Sequence, residues 1–236
     1  MYPPEFSFFH IFVPVYLVGA SRFPSTELSG LDWPYMPADF RHLIAELIER
    51  EARPVDKYGH QPRLYSLTRA IGEDLTYDDD IVYAAAWLHD IGVFVGNRPQ
   101  DPEQLRHWDH VTYACNRAAI IVRETGFPPE KIPAVLDAIR THQPHDDPQA
   151  LEAVILRDAD ILEQLGAIGI LRAVSKVGRD TRYERFSEIT PVLNKAVTEL
   201  PAKLRLERAR ELAAPKIRLL TAFLGGVDAE SAGALF

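Results

Sequence analysis

Cysteine is nearly absent from this sequence, since Cys115 is the only one among 236 residues. One thiol cannot form an intrachain disulfide, and it cannot supply the several thiolates of a typical structural zinc site. Such a low cysteine content is typical of a reducing compartment, so we expect a cytoplasmic protein. We interpret Cys115 itself as a small residue in a helix core.

Runs of lysine or arginine are lacking as well, and the formal net charge is −8 at pH 7. A protein that follows a phosphate backbone needs clustered positive charge, so we expect no nucleic-acid partner. A small phosphorylated substrate remains possible, because a few local arginines and a metal ion can outweigh an acidic whole. The hydrophobic share of 47 % and the charged share of 25 % are those of an ordinary globular protein.

Long hydrophobic runs are few. Residues 6–18 are strongly apolar, but this stretch is too short to span a bilayer and it contains Pro14. The basic start of a secretory signal is lacking, because Glu5 is the only charged side chain before this stretch. We therefore expect residues 1–35 to form an N-terminal extension or arm, and we expect no membrane partner. A cleaved signal or a membrane contact are the alternatives.

From Pro37 onward, apolar residues recur at helical spacing, and we find no alternating strand pattern of convincing length. The first helix has an apolar face from Phe40 to Ile48, with Asp39 as its expected N-cap. Further helices are predicted at about 61–71, 81–91, 110–125, 129–142 and 148–174, with two more between 181 and 236 that separate near Pro201. The sequence therefore predicts an all-α fold.

His89 and Asp90 lie in the predicted last turn of a strongly apolar helix, just before Gly92. A buried carboxylate is costly unless it is paired, so Asp90 needs a salt bridge, a hydrogen-bond network or a metal ion. An imidazole and a carboxylate together suit a divalent ion such as Mn, Fe, Co, Ni or Zn.

Other histidines and acids at helix ends could complete such a site. His60 and Asp160, on separate helices, could fill the shell of a first ion. Asp90 has two carboxylate oxygens and could bridge to a second ion, for which His110 and His142 would supply the imidazoles. We therefore expect one or two divalent ions per chain.

The order of these motifs resembles the HD-domain superfamily of metal-dependent phosphohydrolases. The motifs that carry the resemblance are His60-x-x-Arg63-Leu64, His89-Asp90-Ile91-Gly92, a helix that opens with His110, Arg140-Thr141-His142 and Arg157-Asp158-Ala159-Asp160. The likeness spans about residues 40–177 and is greatest to small bacterial HD proteins. It implies a helical bundle around a metal site and hydrolysis of phosphate esters, often in nucleotides.

Carried over by position, the resemblance implies metal ligation by His60, His89, Asp90 and Asp160. It implies that His110 and His142 hold a second metal or face the substrate, so we predict His110, His142 and Asp90 as catalytic residues. Asp158 lies about 200° away from Asp160 on a helix, so we interpret it as a structural or supporting acid. We predict an HD domain over residues 36–180 and further helices over 181–236 that pack on it.

The predicted function is that of a metal-dependent phosphohydrolase, in which metal-activated water attacks a phosphate ester or anhydride of a small molecule, with a nucleotide favoured. Candidate contacts for the substrate phosphate are Arg63, Arg98, Arg106 and His107. Many relatives have a lysine directly after the His-Asp-Ile-Gly motif, where this chain has Val93. Non-phosphate hydrolysis or hydration is the alternative, followed by a non-catalytic ligand sensor. The amphipathic C-terminal helices could close the core of one chain or pair two chains as a homo-oligomer.

Overall fold

The computed structural model describes residues 39–179 and 183–235, apart from the side chain of Asp56. The predicted extension over residues 1–35 lies outside the described residues, and so does the predicted boundary at residues 180 and 181.

The described chain consists of helices and the turns that join them. The helices are α1 (Phe40–Glu51), α2 (His60–Ile71), α3 (Asp79–Leu88), α4 (Pro102–Arg106), α5 (His110–Glu124), α6 (Ile132–Arg140), α7 (Leu151–Glu163), α8 (Gly166–Val174), α9 (Ile189–Glu199) and α10 (Glu207–Ser231). No β-strand is found in these two described ranges, so the predicted all-α class is confirmed. Among the described helices, none has both the length and the hydropathy that a membrane span requires.

Aspartates begin three of the helices that surround the site. The side chain of Asp39 accepts a hydrogen bond from the backbone N–H of Arg41 at 3.2 Å, which confirms the predicted N-cap of α1. Asp78 caps α3 and Asp109 caps α5 in the same way. Each cap satisfies a backbone N–H that the first turn of a helix leaves without a partner.

The centre of the fold is α3, in which every residue from Ile81 to Leu88 is buried. It packs against α2, α6, α7 and α1, and its three successive alanines, Ala84 to Ala86, let these neighbours approach closely. Because α3 is enclosed by its neighbours, His89 and Asp90 at its C-terminal end lie inside the bundle.

Three predicted helix limits are wrong. Helix α3 ends at Leu88, so His89 and Asp90 lie just beyond it instead of within its last turn. The predicted helix over 148–174 begins only at Leu151, and it is two helices, because Gly166 has φ +70° between α7 and α8. A left-handed residue interrupts the hydrogen bonding of a right-handed helix, and the apolar pattern on both sides does not reveal it.

The last two helices pack on the bundle through buried residues such as Leu193 of α9 and Leu220 of α10. The segment that leads into α10 is held by Asp158 of α7, whose fully buried carboxylate accepts the backbone N–H groups of Arg205 and Leu206 at 2.9 and 2.8 Å. Asp158 therefore has the supporting role predicted for it. Burial raises the pKa of this carboxyl, although the two backbone N–H groups oppose the shift.

We expect Asp158→Ala to lower the free energy of unfolding by about 3 kcal/mol, because it leaves the backbone N–H groups of Arg205 and Leu206 without their acceptor and the buried guanidinium of Arg157 without its counter-ion. Chemical denaturation measures this loss. The matched control is Asp147→Ala, which removes an exposed carboxylate that also contacts Arg205 and should cost less than about 0.5 kcal/mol. Equal losses in the two variants would contradict the anchoring role of Asp158.

Candidate metal centre

His60 is the first residue of α2, and both edges of its buried ring are engaged. Its Nδ1 lies 3.2 Å from Oε2 of Glu163, the last residue of α7. A carboxylate accepts only, so Nδ1–H donates to Glu163 and the proton of the neutral ring is placed on Nδ1. The lone pair of Nε2 then points into the bundle.

His89 is fixed in the same tautomer by the backbone. Its Nδ1 lies 3.1 Å from the carbonyl oxygen of Ala86, which can only accept, so His89 also has an unprotonated Nε2. The Nε2 atoms of His60 and His89 are only 3.2 Å apart. Burial lowers the pKa of His89 to about 4, so the Nε2 of His89 carries no proton at neutral pH. Two facing lone pairs at this distance repel each other unless they share a cation.

Two carboxylates lie beside the facing nitrogens. Oδ2 of Asp90 is 3.7 Å from Nε2 of His60 and 3.6 Å from Nε2 of His89, and Oδ1 of Asp160 is 3.8 Å from Nε2 of His60. These separations exceed a hydrogen bond but suit atoms that bind one ion at about 2.0–2.2 Å each. Burial alone would raise the pKa of Asp90, but the imidazoles around it hold that pKa well below its usual range. Asp90 is therefore an anion.

A second group of possible ligands shares Asp90 with the first. Ligand atoms of Asp90, His110 and His142 lie within 4.8 Å of one another. Nδ1 of His142 donates to the carbonyl oxygen of Ile139 at 2.6 Å, so the neutral ring has its lone pair on Nε2. Nε2 of His110 lies 3.1 Å from the side-chain amide of Gln143, so this nitrogen already has a partner. Asp90 belongs to both groups of possible ligands.

The close approach of Gly92 to α5 brings His110 to the site. A Cβ atom at Gly92 would lie 2.4 Å from the carbonyl oxygen of His110, so only glycine fits here without moving that backbone. Close packing against α5 therefore requires glycine at this position of the His-Asp-Ile-Gly motif.

A cavity of about 440 Å³ opens above these ligands. Its walls carry basic side chains from several elements, namely Lys57, Arg63, Arg98, Arg172 and Lys176. Apolar residues also line it, among them Val93, Phe94, Leu105, Trp108, Val192 and Leu193. The indole N–H of Trp108 donates to the carbonyl oxygen of Gly92 at 2.9 Å, which holds this ring at the wall.

The predicted phosphate contacts divide into two groups. Arg63 and Arg98 line the cavity. Arg106 and His107 do not: both side chains are exposed and contact Glu103 of α4. Their assignment to the phosphate is corrected, because α4 turns this part of the segment toward solvent and pairs it with its own acid.

Sequence reasoning missed the basic residues Lys57, Arg172 and Lys176, and it missed Glu163. One signal could have indicated Glu163, because it lies three residues after Asp160 and therefore on the same face of a buried helix. Its carboxylate accepts from Arg63 at 3.0 Å and from Arg172 at 3.0 Å. Burial would raise the pKa of Glu163, but His60, Arg63 and Arg172 together lower it to about 2.

Comparison with known proteins agrees with this arrangement. The family model described as the HD domain matches residues 58–165, which include His60, His89, Asp90 and Asp160. Residues 58–165 of this chain are thus similar to the HD domain. The resemblance inferred from the sequence is thereby confirmed. No protein of curated function matches the chain significantly.

Several solved structures share the fold of this chain. Bacillus subtilis YpgQ aligns with a TM-score of 0.63 at 22 % identity, over 82 % of this chain and 96 % of its own. A predicted HD superfamily hydrolase from an uncultured Thermotogales bacterium aligns with a TM-score of 0.54 at 23 % identity, over 79 % and 90 %. YpgQ has also been solved in complex with ADP, and that structure aligns with a TM-score of 0.60 at 22 % identity, over 82 % and 98 %.

Proposed function

We propose that this protein is a metal-dependent phosphohydrolase that cleaves a phosphate ester or anhydride of a small molecule, with a nucleotide as the favoured substrate. The observation that carries the proposal is the close approach of Nε2 of His60 and Nε2 of His89, 3.2 Å apart, with the Asp90 carboxylate 3.7 and 3.6 Å away. A divalent cation relieves the repulsion between the two nitrogens and balances the carboxylates, and the basic cavity above can receive an anion.

The donor set fits such an ion. His60, His89, Asp90 and Asp160 would hold the first, and Asp90 with His110 and His142 would hold a second if one binds. Nitrogen and oxygen donors without thiolate suit Mn, Fe, Co, Ni or Zn. When bound, an ion of this kind polarises a phosphoryl oxygen and activates water for attack on phosphorus.

The protein's own groups would bind and orient the substrate. Arg98 and Lys176 reach the cavity from segments far apart in the chain and would bind the negative oxygens of a phosphate. His142 holds its Nδ1 proton on the Ile139 carbonyl, so its Nε2 is left to accept or return a proton at the reacting phosphate. Arg98 and Lys176 would supply the positive charge that many relatives obtain from a lysine at the position of Val93.

A nucleotide is favoured because the cavity is both basic and apolar. Its volume of about 440 Å³ lies in the range of small-molecule sites, roughly 300–1,000 Å³. The rings of Phe94 and Trp108 and the side chain of Val192 form walls against which a base could pack. The ADP complex of YpgQ supports the same substrate class, although it is a property of that protein.

We propose that the HD domain spans residues 36–180 and that residues 181–236 pack on it as C-terminal helices. Support comes from α9, whose Val192, Leu193 and Ala196 line the cavity. The C-terminal region would thus complete the substrate site.

The test is phosphate release from a panel of nucleotides and phosphomonoesters, with Mn, Co, Ni, Mg or Zn added to metal-free protein. We expect release that depends on the metal and is fastest with a nucleotide. A folded, metal-loaded protein that releases no phosphate from any member of the panel would contradict the proposal and favour a non-phosphate substrate.

Arg98→Ala should raise KM for a phosphorylated substrate about 10-fold or more, because a charge-assisted hydrogen bond contributes about 1.5–3 kcal/mol. Within the described part of the chain, the Arg98 guanidinium has no ion-pair partner, so it is available to a ligand. The matched control is Arg123→Ala, on the exposed side of α5, which should leave KM unchanged. An unchanged KM in Arg98→Ala would remove this residue from the substrate site.

A further inference from the structure

Glu163 lies outside the predicted ligand set, yet it is among the most buried charged groups of the described chain, with 2 % of its surface exposed. Three basic side chains converge on its carboxylate. Oε1 accepts from Arg63 at 3.0 Å, and Oε2 accepts from Arg172 and from Nδ1 of His60 at 3.0 and 3.2 Å. A buried carboxylate with this many donors is fixed in both position and charge.

Helix α7 contacts both edges of the His60 ring. Asp160 lies 3.8 Å from Nε2 on the side of the metal centre, and Glu163 lies 3.2 Å from Nδ1 on the outer side. Residues three apart share one face of a helix, so a single helix face sets the ring between two carboxylates. A histidine that binds a metal commonly donates its other N–H to such an outer carboxylate.

Arg172 and Nδ1 of His60 lie close together, and both can donate to Glu163. Nη1 of Arg172 lies 3.0 Å from Nδ1 of His60 and 3.0 Å from Oε2 of Glu163. A guanidinium can only donate. If Arg172 donated to Nδ1, the neutral ring would carry its proton on Nε2 and would have no lone pair for a metal. With the Glu163 carboxylate present, Arg172 and Nδ1–H both donate to the same oxygen, and Nε2 stays unprotonated.

We propose that Glu163 is a positioning residue that selects the metal-binding tautomer of His60 and keeps Arg172 from reversing it. This inference rests on the proposed metal centre and adds to it a residue that acts through His60 without contacting the ion. The same carboxylate holds Arg63 and Arg172 at the cavity wall, so it joins the metal centre to two of the basic side chains around the substrate.

The first test is the affinity of metal-free protein for Mn²⁺, measured by calorimetry. Glu163→Gln keeps the volume of the side chain but removes its charge, and we expect it to weaken Mn²⁺ binding about 10- to 100-fold. The matched control is Glu211→Gln, the same substitution at an exposed carboxylate that contacts Arg208 on α10, and it should leave the Mn²⁺ affinity unchanged. Equal affinities of wild type and a folded Glu163→Gln variant would overturn the inference.

The second test does not depend on activity, and its first part uses the wild type alone. Long-range ¹⁵N–¹H NMR of the metal-free wild type should show His60 as the Nδ1–H tautomer, and Glu163→Gln should shift it toward Nε2–H. An Nε2–H tautomer in the wild type would overturn the inference even if the variant failed to fold. If the wild type bound no Mn²⁺ but showed the Nδ1–H tautomer, the proposed function would fail while the positioning role of Glu163 stood.

Discussion

Asp90→Ala should abolish metal-dependent phosphate release, with a loss of roughly 10³-fold or more, as expected when a central electrostatic group of an active site is removed. Asp90 is the one residue common to both groups of possible ligands, so its loss affects either ion. It also leaves the imidazoles of His60 and His89 without the anion that lies 3.7 and 3.6 Å away. Steady-state phosphate release and Mn²⁺ calorimetry on the same preparations measure both effects.

Asp90→Asn separates charge from shape in this experiment, because it keeps the volume of the side chain. We expect the asparagine variant to retain the fold and to lose Mn²⁺ affinity and activity almost as completely as the alanine variant. Asp137→Ala, which removes a carboxylate that pairs with Arg140 on α6, serves as the control and should retain full activity. Metal-dependent release that survives in both Asp90 variants would contradict the role of this carboxylate.

His89→Leu should remove the stabilisation that the wild type gains from metal without unfolding the metal-free protein. A ligand at 100 times its Kd stabilises a folded protein by about 2.7 kcal/mol, and this gain should vanish in the variant. In the metal-free state, His89 is a fully buried imidazole whose Nε2 faces another lone pair at 3.2 Å. Leucine fills a similar volume and relieves that repulsion, which offsets the loss of the hydrogen bond to the Ala86 carbonyl, so the free energy of unfolding without metal should change by less than about 1 kcal/mol.

Thermal unfolding with and without saturating Mn²⁺ makes this comparison, with phosphate release measured in parallel. His42→Leu is the matched control, since His42 is exposed and contacts Glu46 on the surface of α1. It should keep both the metal-induced rise in Tm and the activity. A His89→Leu protein that is still stabilised by Mn²⁺ as strongly as wild type would show that the ion binds elsewhere.

The sequence allowed the ligand set to be proposed because each member lies at an end of a helix or within a strongly apolar helix. The structure brings His60, His89, Asp90 and Asp160 to within 3.2 to 3.8 Å of a neighbour in the set. Helical periodicity and the cost of burying a charge pointed to these residues, and the resemblance to the HD-domain superfamily implied the ligand set. The pairing of each Nδ1 with its acceptor depends on tertiary contacts and could not be predicted.

The break between α7 and α8 was not predicted, because it arises from the backbone conformation of one residue and leaves the hydrophobic pattern unchanged. Gly166 takes φ +70° inside an apolar stretch whose pattern continues on both sides. The break turns α8 back across the site, so that Arg172 meets Glu163 and His60. A continuous helix would have carried Arg172 away from both residues. Because the break at Gly166 was not predicted from the sequence, the position of Arg172 beside the site was not predicted either.

The basic wall of the cavity was predicted only in part, for a related reason. Arg106 and His107 follow the metal motif closely in sequence, but α4 pairs them with Glu103 in solvent. Lys57 and Lys176 are distant from the motif in sequence and reach the cavity through the packing of separate elements. Proximity along the chain is a poor guide to cavity lining where short segments change direction.

The most direct test of the metal centre is anomalous diffraction from crystals of the protein loaded with Mn²⁺. We predict a peak at about 2.0–2.3 Å from Nε2 of His60, Nε2 of His89 and a carboxylate oxygen of Asp90, with Asp160 completing the set. A second peak between Asp90, His110 and His142 would establish a dinuclear site. Loaded crystals with no peak among the four predicted ligands, or with a peak only elsewhere, would contradict the central claim.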